Sequence, residues 1–382
     1  MATRERVGRV QRPALWAAAV ALLAAQVAPV AVWPAAHVLL IDLQVYRAGG
    51  EAVLRGAPLY DGGILLDLPF VYPPFAALVF VPLALLPLTV LKVLWTAASV
   101  ALVVFVVRRS AALVGWAPGG AGTALLVAVV LALDPVHTTL NLGQVNVVLL
   151  ALVLADLTGR WGRWTGVGTG IAAAVKLTPL VFVAYLLLTG RWRAAGTAVV
   201  AFVAAGALGF ALDPADSAVY WSGTFAAADR ISAVAGPSNH SAVGLLARAG
   251  APGWAGLLAA GATAAAGLAV AVRAHRRGHE LLAVTLCGLV AAAAAPFAWS
   301  HHHVWFGPLV VLLAHRAVRG DRWAVPALGG LLAVTVAWVT ALPGPGVGPL
   351  PATGLISLQP DVYLAAVVVT VAAAAWALRR PA

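Results

Sequence analysis

Charge is scarce in this chain of 382 residues. Only 10% of its residues are charged, while 62% are hydrophobic. A soluble domain of this length cannot bury so much apolar surface, so lipid has to take the place of water around it. No stretch is polar enough to form a separate soluble domain. Lysine is almost absent, and the single cysteine, Cys287, lies in an apolar run, so no disulfide can form within the chain. There is no Walker A lysine loop, which argues against direct use of ATP. There is no Asp-x-Asp pair; the nearest approach is Asp213 and Asp216, so a metal-bound nucleotide-sugar site is not visible. No internal repeat is evident, which weighs against inverted-repeat transporters.

What charge there is follows a pattern. The formal net charge is +11, and its arrangement points to membrane orientation rather than to nucleic acid. Arginines cluster at 4–12, 108–109, 160–163, 191–193, 273–277, 316–322 and 379–380, between apolar runs. Asp42, Glu51, Asp61, Asp67, Asp134, Asp213, Asp216, Asp229 and Asp361 fall in the intervening segments. The positive-inside rule then places the arginine loops and both termini in the cytoplasm. The basic segment MATRERVGRVQR before an apolar run resembles a signal peptide without a convincing cleavage site. It reads as an uncleaved first span over 13–33.

The expected fold is an all-α polytopic membrane protein, one integral-membrane domain over 1–382 with roughly 10–13 spans of about 20 residues. Outer loops are expected at 34–72, 213–241 and 343–360. The first should carry a short interfacial helix, because Arg47, Glu51 and Arg55 recur at helical spacing. Residues 74–107 are too long for one span and contain Pro82 and Pro87. They read as a kinked or partly re-entrant element followed by a span. Residues 164–190 lie between two basic clusters and read as a tight hairpin broken at Thr178-Pro179. The glycines of GVGTG at 166–170 suit close helix packing better than phosphate binding.

Polar residues near membrane depth are costly unless they serve a purpose, and here they gather on the outer side. Asp42 follows the first span at the boundary with water. For Glu51 and Arg55 the better reading is the solvated face of an amphipathic helix. Around the turn LDPVHTTLNLGQVN stand Asp134, His137, Gln144 and Asn146, and the two amides either cap a helix or bond between helices. Lys176, in AAAVKLTP, needs an anion; a phosphate and a carboxylate such as Asp42 are the two candidates. In WSHHHVWFGP, consecutive residues point in different directions, so His301, His302 and His303 cannot all hold one metal. One or two of them facing a polar site is the alternative. Asn239 and His240 close the second outer loop, where Asp229 and Arg230 form a candidate local ion pair.

The order DLQVYRAGG, LRGAPLYD, VYPPFAALVFVPLALLP, NLGQVN, VKLTP, SNHSAVGLL and APFAWSHHHVW resembles glycosyltransferase family 87, the polyprenol-phosphate-mannose-dependent α-mannosyltransferases. The resemblance covers residues 40 to 310. It implies a GT-C fold with its active site on the extracytoplasmic face of a bacterial cell membrane, beneath the first outer loop. The implied substrates are a polyprenyl-phosphate-linked sugar and a glycolipid or glycan acceptor, among membrane lipids and without nucleic acid, metal or cofactor. Asp42 matches the family's first-loop aspartate and would be the general base. Lys176, His301, His302 and Arg47 would contact donor phosphate or sugar. Tyr72, Gln144, Asn146, Asn239 and His240 would be acceptor or secondary polar residues. A lipid or sugar transporter or flippase, or a scaffold for envelope biogenesis, are the competing classes; a transporter would need polar residues connected to both sides.

Overall fold

The computed structural model describes residues 2–32, 39–227, 230, 232–336 and 361–379, with side chains in the first helix described from 12 to 28. The third expected loop, 343–360, and Asp229 with its expected ion pair lie outside the described residues. Within them the architecture is all-α, as expected for a polytopic membrane protein, with one two-stranded hairpin as the exception.

Among the described residues seventeen α-helices follow one another. The first, α1 (Ala2–Val32), is longer than the expected span because helix continues through the basic segment. The first loop contains α2 (Ile41–Arg55), then β1 (Gly63–Leu65) and β2 (Leu68–Pro69) paired antiparallel. Next come α3 (Pro74–Ala84) and α4 (Leu88–Leu113), separated at Pro87. At about 1.5 Å per residue, α3 is roughly 16 Å long and α4 roughly 39 Å, so only α4 can cross a bilayer. That is the short element followed by a span that the prolines suggested.

α5 (Gly119–Ala132) is bent by 72° from α6 (Asp134–Leu142), and α7 (Asn146–Thr158) follows. The sequence reads this region as a short turn, but the turn is itself a helix, started by Pro135 in its first turn and ended by Gly143 at φ +70°. The remaining helices are α8 (Val167–Val175), α9 (Leu180–Leu188), α10 (Trp192–Leu212), α11 (Pro214–Ser222), α12 (Ala242–Arg248), α13 (Gly253–Arg276), α14 (Glu280–Ala293), α15 (Phe306–Val318), α16 (Ala324–Thr335) and α17 (Val362–Ala377). Three of them, α4, α10 and α13, are long and apolar enough to cross a membrane, and the bent pair α5–α6 would make a fourth. Seven further apolar helices among the described residues run 10–17 residues. Among the described residues much of the bundle is short and broken helix. Large apolar side chains face outward, Val200 68% and Leu257 65% exposed, which suits lipid rather than water.

Arginines from three of the clusters meet helix ends of the bundle. Arg109 bonds Thr158, Arg191 bonds the Leu157 carbonyl and pairs with Glu280 at 3.1 Å, and Arg273 bonds the Leu378 carbonyl. Trp161, Trp164, Trp192 and Trp323 are half or more exposed beside these arginines, as an interfacial aromatic belt requires.

Residues 167–188 form the expected hairpin. A Cβ on Gly166 would lie 2.1 Å from the Ala194 carbonyl oxygen, and one on Gly170 would lie 2.3 Å from that of Ala198. The glycines of GVGTG therefore let α8 pack directly on α10, and the rising register makes the two helices parallel. Gly190, at φ +77°, turns α9 into α10, so α9 runs back toward Arg191. Each leg has nine residues, roughly 13.5 Å, about half of a hydrocarbon core. Asp156 anchors the base. Its carboxylate accepts from the Gly166 N–H at 2.9 Å, and from the N–H and hydroxyl of Thr169 at 2.9 and 2.7 Å. These are donors that the first turn of α8 would otherwise leave unpaired.

Candidate active site

The hairpin tip delivers Lys176 to the centre of the site. Lys176 leaves α8 in extended conformation, and Pro179 starts the return leg. Its ammonium donates to Asn146 Oδ1 at 3.0 Å and to His302 Nε2 at 3.1 Å. Both acceptors are neutral, and Lys176 makes no ion pair among the described residues. The sequence left phosphate and carboxylate open as its partner, and no carboxylate contacts it. Because Nε2 of His302 accepts, the ring proton sits on Nδ1, which has no partner among the described residues. An ammonium held only by neutral groups is costly to bury, and an anion would offset that cost.

Asn146 and His302 are placed by the bundle. Asn146 opens α7, and its amide also donates to the His301 carbonyl at 2.9 Å. His302 lies on a 3₁₀ turn, Ser300–His303, where successive side chains diverge. His301 packs its ring on Trp299 at 5.3 Å and does not reach Lys176. His303 stacks on Tyr363 at 5.2 Å. The triplet therefore splits three ways, as its spacing suggested, and no group of three metal-ligating side chains exists among the described residues.

Asp42 forms the second half of the site. It lies in the first turn of α2 and accepts from Gln144 Nε2 at 2.5 Å. Gln144 Oε1 accepts from Tyr46 at 2.8 Å and from Tyr72 at 3.3 Å, and the two phenols lie 2.9 Å apart. Two phenolic donors on Oε1 leave the amide no choice but to present Nε2 to Asp42. Local packing sets this register. A Cβ on Gly143 would come within 2.6 Å of Leu43, so only glycine lets the α6–α7 turn lie against α2. On α2 itself, Gly49 and Gly50 admit Phe70 and the Phe80 backbone. Burial pushes the Asp42 carboxyl up to about 6, partly opposed by the Gln144 hydrogen bond and by the Lys176 charge.

Tyr72 joins the two halves. Its ring centroid is 5.6 Å from the Lys176 ammonium, and its hydroxyl reaches Gln144. From Lys176, Asn146 and His302 a narrow cleft runs between apolar walls that include Leu149, Phe182 and Trp305. Gly288 makes room for the last of these, since a Cβ there would lie 2.0 Å from the Trp305 ring. A cation at the head of an apolar cleft suits a lipid that carries a phosphate.

Other expected site residues lie elsewhere. Arg47 pairs with Glu51 along α2 and donates to the Ala84 carbonyl at 3.4 Å, away from Lys176. Asn239 braces a loop, donating to the Val234 and Pro296 carbonyls and accepting from the Ala298 and Ser241 N–H groups. His240 packs edge-on against Tyr363 at 5.0 Å. Arg230 bonds the Tyr60 carbonyl at 2.8 Å. Tyr46 was missed, although it stands four residues from Asp42 and therefore on the same helical face. Asp134, which accepts from Tyr363 at 2.7 Å and Thr138 at 3.0 Å, supports the histidine turn from behind.

Residues 70–296 match the family description "Glycosyltransferase family 87". The chain belongs to glycosyltransferase family 87. It is 37% identical over 339 residues to a polyprenol-phosphate-mannose-dependent alpha-(1-2)-phosphatidylinositol mannoside mannosyltransferase of Mycolicibacterium smegmatis, covering 79% of this chain and 76% of that one. It is 34% identical to the protein of the same name from Mycobacterium tuberculosis, covering 78% and 75% of the two chains. A polyprenol-phosphate-mannose-dependent alpha-(1-2)-phosphatidylinositol pentamannoside mannosyltransferase of M. smegmatis is 33% identical over 86% of this chain and 83% of its own. No solved structure matches. The protein is thus a membrane glycosyltransferase.

Proposed function

We propose that the protein transfers a mannosyl residue from a polyprenyl-phosphate-linked donor to a glycolipid acceptor of the phosphatidylinositol mannoside kind. The transfer is a single inverting displacement. Asp42 takes the proton of the acceptor hydroxyl as its oxygen attacks the anomeric carbon. The bond from that carbon to the phosphate oxygen breaks, and the polyprenyl phosphate leaves with the electron pair. The Lys176 ammonium and the Nδ1–H of His302 receive the developing negative charge. Phosphate is a good leaving group, so no strong general acid is needed and no metal is called for.

The observation that carries this reading is the Lys176 ammonium, bonded only to Asn146 and His302 at the head of an apolar cleft. The names of the relatives support the donor and acceptor classes. The bundle, read as GT-C in type, would sit multi-pass in a bacterial cell membrane. Its arginine clusters and both termini would be cytoplasmic, and Asp42 would act from the extracytoplasmic side.

The test is transfer from radiolabelled polyprenyl-phosphate mannose by purified protein. Asp42→Asn and Asp42→Ala should abolish transfer while the protein still purifies as a folded species. Full activity in both variants would refute the assignment of the base.

A further inference from the structure

Tyr72 faces both halves of the site, its ring toward Lys176 and its hydroxyl toward Gln144. Its own backbone is fastened from outside. Pro73 and Pro74 follow it and carry no N–H, so this stretch is short of backbone donors with which to hold itself. The Tyr60 hydroxyl supplies a bond instead, donating to the Tyr72 carbonyl at 2.7 Å. That bond is buried, with Tyr60 2% and Tyr72 6% exposed. It closes residues 60–72, including the β1–β2 hairpin, into a loop tied at its two ends.

Tyr60 is held in turn from α11 and the segment after it. The Asp216 carboxylate, on α11, accepts from the Leu59 N–H at 2.9 Å. Arg230 donates to the Tyr60 carbonyl at 2.8 Å. Charged side chains therefore fix the backbone on both sides of the Tyr60 side chain, and hydrogen bonds to charged groups are the stronger kind. Tyr220, also of α11, packs on the Tyr60 ring at 5.5 Å. A continuous set of contacts thus runs from Asp216 and Arg230 through Tyr60 and Tyr72 to Gln144 and Asp42.

We infer that Tyr60 is a positioning residue for the transfer: through the Tyr72 carbonyl it sets the hydroxyl that keeps Gln144 turned toward Asp42. This rests on the reading of Asp42 as the base of a mannosyl transfer. Among the described residues Tyr60 bonds neither Asp42 nor Lys176, so it acts through Tyr72.

The experiment uses the full chain in nanodiscs, with polyprenyl-phosphate mannose as donor and a synthetic phosphatidylinositol mannoside as acceptor. Tyr60→Phe keeps the ring against Tyr220 and removes only the hydroxyl. It should lower kcat about three- to tenfold, the effect of losing one neutral hydrogen bond, and leave the donor KM unchanged because Lys176 keeps Asn146 and His302. It should also move the Asp42 titration upward by about half a pH unit, since a loosely held Gln144 favours the carboxylate less. Gln144 and the Lys176 charge face Asp42, with Tyr46 and Tyr72 behind Gln144, and the substitution leaves all four in place. The titration is read twice: as the acid limb of kcat and, without turnover, as the carboxyl band in pH-difference infrared spectra referenced to Asp42→Asn. In a Gln144→Leu background Tyr60→Phe should add no further shift. Asp216→Ala should lower kcat in the same way, and Asp216→Asn, which keeps an acceptor for the Leu59 N–H, should restore it. A native acid limb and infrared midpoint in Tyr60→Phe overturn the inference, even if the melting temperature falls. So does a shift that adds in full to that of Gln144→Leu. If wild type transfers no mannose, the proposed function is refuted, and the infrared midpoint of Tyr60→Phe still decides whether Tyr60 sets Gln144 against Asp42.

Discussion

Gln144→Leu should move the acid limb of the pH–rate profile without removing the base. The substitution keeps the side-chain volume close to native but deletes the amide that donates to Asp42 at 2.5 Å. Tyr46 and Tyr72 lose their shared acceptor but keep each other at 2.9 Å, so the local damage is limited. In the native protein burial raises the Asp42 carboxyl from 3.8 to about 6, with the Gln144 bond and the Lys176 charge holding it down. In the proposed mechanism transfer needs the carboxylate, so native activity should fall as pH drops below about 6. A hydrogen bond to a charged group contributes about 1.5–3 kcal/mol. At 1.36 kcal/mol per pH unit, its loss shifts the limb upward by about one to two units. With a shift of about 1.5 units, the ionised fraction at pH 6.5 drops about eightfold, while activity at pH 9 approaches native. The assay is initial-rate transfer by purified protein from pH 5 to 9. An acid limb that stays near pH 6 in Gln144→Leu would refute the coupling. A native limb near pH 4 would refute the burial argument.

The same carboxyl has a consequence for stability. Its folded value lies above its unfolded value, so its favourable contribution is present below about pH 4 and is lost as pH rises through about 6, by at most about 3 kcal/mol; Asp42→Asn should therefore raise the melting temperature at pH 8 relative to wild type while abolishing transfer. Lys176→Met should lower kcat/KM by about 10²–10³, the magnitude typical of losing one charged stabiliser of a leaving group; retention of more than a third of native activity would remove Lys176 from the mechanism. Asp156→Ala unpairs the base of the hairpin and should cost about 2–3 kcal/mol, read as a lower thermal midpoint in detergent; an unchanged midpoint would show that the first turn of α8 finds other acceptors.

Much of the site was legible because membrane sequences make polar residues conspicuous. Asp42, Gln144, Asn146, Lys176 and His302 stand out against alanine, valine and leucine, and the structure brings all five together. The hairpin was legible for a similar reason, since two arginine clusters too close for two full spans flank a Thr-Pro break. Residues whose importance comes from spatial neighbours were not. Tyr46 is one aromatic among many until Gln144 is seen beside it. Asp156 lies near an arginine cluster and suggests a surface charge, yet it is 5% exposed and holds the N-terminus of α8. Arg47 shows the reverse case. A cation in the first loop suggests phosphate, but Glu51 stands one turn away and pairs with it. Hydropathy measures apolar length and is blind to breaks such as the 72° bend between α5 and α6, so the bounds of the shorter apolar helices were not legible.

The two legs of the hairpin behave as a ruler. Both have nine residues, and both feet are pinned, one by Asp156 and the other through Arg191. The height of Lys176 above those feet is then a matter of residue count. One residue added to α8 would lift the tip about 1.5 Å and swing it about 100° around the helix axis, taking the ammonium away from Asn146 and His302. The legs can therefore exchange one apolar residue for another and leave the tip where it is, whereas a change in their length moves Lys176 off Asn146 and His302.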